Sequence, residues 1–91
     1  MNAAAALNTE LDDLMSNTTS PVLIATLAAL DGYTDGAAWL LRTRITTELE
    51  TRYPKASRAM DAEFARAERE GTVGEFDQSA ILLAAIEQIG A

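Results

Sequence analysis

The sequence predicts an all-α fold. Three observations carry that expectation. Apolar residues recur at helical spacing through most of the chain, no stretch alternates apolar with polar side chains as a half-buried strand would, and the helix breakers fall between the periodic segments. Composition agrees: 18 of 91 residues are alanine, the strongest intrinsic helix former. The breakers outline a compact bundle of four to five short helices in one domain, residues 1–91.

The first helix is expected over about Ala3 to Met15, with Ala3, Ala4, Leu7, Leu11 and Leu14 on one stripe and Glu10, Asp12 and Asp13 pointing elsewhere. Ser16, Asn17, Thr18 and Thr19 read as a loop, because their side chains compete for backbone partners. Ser20 is the expected N-cap of the second helix, with Pro21 at the first helical position, where its missing N–H costs nothing. That helix runs to about Leu30 and stops at Gly32, and Tyr33 to Gly36 connect it to the next. The third begins after Thr34 or Asp35 and ends at Tyr53, since Pro54 disfavours helical geometry in the residue before it. Thr43, Thr46, Thr47 and Thr51 are β-branched, yet the apolar positions around them keep a helical period. Pro54 opens the fourth helix, which ends at Gly71. The fifth starts between Thr72 and Asp77 and ends at Gly90. Thr72 and Glu75 fit a capping box, but Gly74 weakens that turn and Asp77 competes as N-cap.

The third helix should bury Ala38, Leu41, Ile45 and Leu49, with Tyr53 at the edge. Trp39 and Leu40 fall outside that stripe. Either they pack under the first or fifth helix, or they belong to an oligomer or partner interface, where tryptophan is an enriched anchor. The fourth helix has a narrow stripe, Ala56, Met60, Phe64 and Ala67. Its other positions are small or charged, with exposed pairs available between Arg58 and Asp61, Glu63 and Arg66, and Arg66 and Glu70. The fifth is apolar over more than one face, through Ile81, Leu82, Leu83, Ala84, Ala85, Ile86 and Ile89. Such a helix is either central or covered by a second subunit. Ile81, Leu82, Ile86 and Ile89 therefore join Trp39 and Leu40 as protein-interface candidates, and a homodimer is expected.

Fourteen acidic and seven basic residues give a formal charge of −7, and every base lies between Arg42 and Arg69. The chain is a weakly basic centre between acidic ends. Arg52, Lys55 and Arg58 gather where the third helix meets the fourth. Arg52 and Lys55 suit a helix C-terminus, but Lys55 and Arg58 carry the wrong sign for the N-terminus that follows. This junction is a candidate site for an anion or an acidic partner. Acids of the same chain, such as Asp12 and Asp13, are the simpler expected complement.

There is no cysteine and no histidine. Disulfides, thiolate nucleophiles, histidine-based triads and nearly all zinc sites are thereby excluded. Phosphate-binding glycine loops and the serine-hydrolase elbow are absent. Glu10 and Asp13 form one E-x-x-D pair of the kind that holds magnesium in helical pyrophosphatases, but no second pair follows at suitable spacing. No enzyme, cofactor or metal is expected. The longest apolar-plus-threonine run, Val22 to Leu30, is far below the roughly 20 residues of a membrane span. No basic residue precedes Arg42, so no signal peptide is expected, and position 2 lacks the glycine of a myristoylation site. The expected location is the cytoplasm, that of the host if the gene is phage-borne.

What remains is a small acidic helical module that binds and regulates another protein. An acidic inhibitor of phage type, mimicking DNA before a host nucleic-acid enzyme, is the alternative. A helix-turn-helix DNA binder using Arg42, Arg44 and Arg52 is the second, opposed by the acidic charge. The arginine and alanine bias resembles the coding of a high-GC genome. The stretch RTRITTELETRYPKASRAM, Arg42 to Met60, resembles segments of small proteins from actinobacteria and their phages. That likeness covers about a fifth of the chain and implies a mobile-element origin, with no activity, ligand or site residue attached.

Overall fold

Prolines and glycines decide where these helices begin and end. The computed structural model describes residues 3–90, with side chains described from Thr9 onward. Five α-helices follow in order: α1 (Ala3–Asn17), α2 (Ser20–Ala29), α3 (Gly36–Arg52), α4 (Pro54–Glu70) and α5 (Gln78–Ile89), with a single 3-10 turn at Val73–Glu75 before the last. No strand occurs among the described residues. The fold is all-α.

Most ends follow local chemistry. Pro54 occupies the first turn of α4, and Gly71 closes that helix in the left-handed conformation at φ +73°. Asp77 caps α5, its carboxylate accepting from the Ala80 N–H at 3.1 Å. Asp35 accepts from the Ala38 N–H at 3.4 Å at the start of α3. Three expectations change. Thr19, not Ser20, is the N-cap of α2, and its side chain makes no capping bond. Thr72 and Glu75 form no capping box: Val73–Glu75 winds into a 3-10 turn, and the Thr72 hydroxyl donates to the Ala67 carbonyl at 3.4 Å. α1 also runs on through Asn17. Ser16 Oγ donates to the Asp12 carbonyl and Asn17 Nδ2 to the Asp13 carbonyl, each four residues back, so these polar groups bond along the helix instead of breaking it.

The chain divides into two compact units, residues 1–49 and 50–91, with the boundary inside α3. In the first, Met15, Leu23, Leu27, Ala38, Ile45 and Leu49 are buried. The expected positions of Ala3, Ala4 and Leu7 lie outside the described side chains. Leu14, expected on the buried stripe, is 56% exposed; its neighbour Met15 takes the interior position, and Leu11 is half-buried. Arg44 Nη1 lies 2.7 Å from Asp12 Oδ1, joining α3 to α1. Arg42 donates to the carbonyls of Leu30 and Tyr33, joining α3 to the end of α2.

In the second unit α5 packs along α4. Ala56, Met60 and Ala67 from α4, and Leu82, Ala85 and Ile86 from α5, are buried. Phe64, expected in the buried stripe, is 40% exposed. Its ring meets Phe76 edge-on, centroids 5.2 Å apart, so the segment before α5 covers only part of it. Arg66 pairs with Glu63 as the spacing predicts.

Candidate protein-binding surface

Trp39 is 62% exposed, the most exposed large apolar side chain among the described residues. Its place follows from helix geometry. Ala38, Ile45 and Leu49 mark the inward face of α3, and Trp39 follows Ala38 by one residue, a rotation of about 100°. Leu40, one further step round, is half-buried. The Trp39 N–H donates to the Asp35 carbonyl at 3.0 Å, so the indole rises from the first turn of α3, whose backbone is already fixed.

From Trp39 an edge of hydroxyls continues along α3. Thr43 Oγ1 donates to the Trp39 carbonyl at 2.9 Å, and Thr47 Oγ1 to the Thr43 carbonyl at 3.0 Å. Beside this edge lies an open cavity of about 350 Å³, walled by Asp12, Met15 and Ser16 from α1 and by Thr43, Arg44, Thr47 and Glu48 from α3. The sequence contains the i,i+4 threonine spacing but not the facing wall of α1, so this groove was not legible from the chain alone.

The candidates on α5 separate. Leu82 is wholly buried and Ile86 is 7% exposed, so the chain itself encloses both. Ile81 is half-buried and Ile89 is 44% exposed. The latter two flank a shallow hollow of about 280 Å³ between α4 and α5, floored by Ala59, Ala84 and Ala85. Trp39 and Leu40 belong to the first unit, and the α5 residues to the second.

Arg52, Lys55 and Arg58 sit at the α3–α4 turn, Arg52 half-buried and the other two exposed. α4 begins without a side-chain cap on Tyr53 and without an acid in its first turn. Within the first unit, Arg44 holds the carboxylate of Asp12. Arg42 and Arg44, among the arginines a helix-turn-helix would use, are bound within the chain. Among the described residues no group of three or more carboxylates is placed to hold a metal ion, and no helix is long and apolar enough to cross a membrane. No protein-family model matches this chain, and no curated protein or solved structure matches it either.

Proposed function

We propose that the chain is a protein-binding module whose contact surface is centred on Trp39. The exposure of that indole carries the reading. Five side chains smaller than tryptophan, Leu23, Leu27, Ile45, Leu49 and Leu82, are fully buried, while the largest apolar group in the chain stands in water. Tryptophan covers a large contact area at the cost of few rotatable bonds, which is why it anchors interfaces.

The argument for a second copy of the chain as the partner is reduced by α5, because its core residues Leu82 and Ile86 are already covered. Like charges of −7 also oppose self-association. A different protein is the better-supported partner. Regulation by acidic mimicry of DNA is less well supported, since Asp12 and Glu63 are each engaged with an arginine of the same chain.

The test is a photo-crosslinking side chain placed at position 39, with a control at the exposed Ala62 of α4. In an extract of the source cell, position 39 is expected to give a discrete adduct larger than the chain, and position 62 none. An adduct of twice the chain's mass identifies a homodimer. Equal labelling from both positions, or none from 39, removes the proposal.

A further inference from the structure

Two identical dipeptides, Asp31-Gly32 and Asp35-Gly36, lie between the last turn of α2 and the first of α3. Aspartate followed by glycine rearranges readily without an enzyme, because glycine has no Cβ to obstruct its own nitrogen. The reaction needs no oxidant or reductant. The glycine nitrogen attacks the aspartyl Cγ. The N–Cγ bond forms, the Cγ–O bond breaks, and the amide proton leaves with the hydroxyl as water, which closes a five-membered succinimide. Water then adds back to one of the two ring carbonyls. Addition at Cγ restores aspartate. Addition at the main-chain carbonyl breaks the original peptide bond and leaves the chain running through Cβ and Cγ. The product is isoaspartate, with one extra backbone atom and the same net charge.

The fold treats the two pairs differently. All four residues are exposed, so access of water does not separate them. Asp35 directly precedes α3. Its carboxylate accepts from the Ala38 N–H at 3.4 Å, its carbonyl accepts from the Trp39 N–H at 3.0 Å, and Gly36 is already the first helical residue. Ring closure there must take the carboxyl group off the helix end and turn the Gly36 peptide out of the helix. Asp31 and Gly32 belong to no helix. Gly32 stands at φ +88° with nothing within 4 Å of where a Cβ would sit, and among the described residues its N–H makes no backbone hydrogen bond. We propose that Asp31-Gly32 is a site of spontaneous isoaspartate formation, from which the start of α3 protects Asp35-Gly36. The consequence falls on α3. The Tyr33 N–H donates to the Leu30 carbonyl at 3.1 Å, closing a turn over Asp31 and Gly32. The Arg42 guanidinium donates to the carbonyls of the same two residues, Leu30 and Tyr33. The added backbone atom lies between two carbonyls that one side chain holds, so rearrangement changes their separation and loosens the tie between α2 and α3.

The test holds the full chain at neutral pH and body temperature and samples it over weeks. Endoproteinase Asp-N, which cuts before aspartate and not before isoaspartate, reads each position, and electron-transfer fragmentation of the peptides locates the new linkage. In the folded chain, isoaspartate is expected to accumulate at position 31 at least about fivefold faster than at 35, the factor that a typical N-cap bond represents. In urea strong enough to unfold the chain, the two rates should become equal. Asp31→Glu keeps the charge and demands a less favoured six-membered ring, so it should abolish the product at that position. The isoaspartate form, separated by chromatography, should unfold at lower urea than its parent and exchange the Tyr33 amide faster, and in an Arg42→Ala background the two forms should differ less. Equal rates at 31 and 35 in the folded chain, a faster rate at 35, or no product at 31 would overturn the proposal. So would a preference for 31 that persists in urea, since it would then arise from the flanking residues and not from the fold. An unchanged unfolding midpoint for the rearranged chain would overturn the stated consequence for Arg42.

Discussion

The guanidinium of Arg42 reaches back twelve residues to the carbonyl of Leu30, at 3.1 Å, and holds the carbonyl of Tyr33 as well. The last carbonyls of a helix have no partner within it and carry partial negative charge, so a cation placed there satisfies both needs. This one side chain fixes how α3 leaves α2. Arg42→Ala is expected to lower unfolding free energy by about 1.5–3 kcal/mol, the range for hydrogen bonds to a charged group. Arg58→Ala, at an exposed site on α4, should stay within about 0.5 kcal/mol. Urea unfolding midpoints separate the two; equal losses would mean that Arg42 fastens nothing.

Two glycines on either side of Thr72 should respond with opposite signs. Gly71 stands at φ +73°, where a Cβ crowds its own carbonyl, so Gly71→Ala should cost about 1–2 kcal/mol. Gly74 has no such angle, and a Cβ there meets nothing within 4 Å. Gly74→Ala should stabilise by about 0.4–1 kcal/mol, because it restricts the unfolded chain. Thermal unfolding of the two variants reads the signs directly.

The capping of α5 offers a sharper comparison. Asp77→Ala removes the acceptor of the Ala80 N–H and should cost about 1 kcal/mol, with faster amide exchange at Ala80. Thr72→Ala should cost less, since that hydroxyl bonds to the Ala67 carbonyl at 3.4 Å and caps nothing. A larger loss at Thr72 than at Asp77 would restore the capping box.

These positions show what the sequence discloses. Pro54, Gly71 and Gly90 mark helix ends because their backbone chemistry is local, and their neighbours cannot change it. Asp77 prevailed over Thr72 through a competition between two local signals that only the wound-up turn at Val73–Glu75 decides. Long-range partners were not legible. In the sequence Arg42 and Arg44 figure only as cations of a helix-turn-helix that the acidic charge opposes, while their actual partners are the end of α2 and, for Arg44, Asp12, 32 residues away. Leu14 and Met15 are adjacent apolar residues about 100° apart on α1, and spacing alone does not decide which of them faces inward; Met15 does. Trp39 was placed off the inward stripe by counting alone. The groove beside it needed two helices.

The start of α4 is electrostatically unfavourable. Lys55 lies in the first turn, where the helix dipole is positive, and no acid accompanies it. Lys55→Glu should raise stability by about 0.3–1 kcal/mol at low ionic strength, and the gain should shrink in 1 M salt. A salt-independent gain would point to helix propensity instead of charge. A loss would show that Lys55 is held by something other than the dipole.

The docking reading demands that stability and recognition reside in different side chains of the same helix. Leu49 is fully buried, so Leu49→Ala should cost about 2–5 kcal/mol through lost burial and the cavity left behind. Trp39 is larger but stands mostly in water, so Trp39→Ala should cost no more than about 0.5 kcal/mol. Because the chain has one tryptophan, its emission reports this site alone. In the isolated protein it should resemble that of a solvated indole and be readily quenched by iodide; binding a partner should shift it to the blue and shield it. A Trp39→Ala variant as unstable as Leu49→Ala would make the indole a structural element, and the surface built on it would have no claim to function.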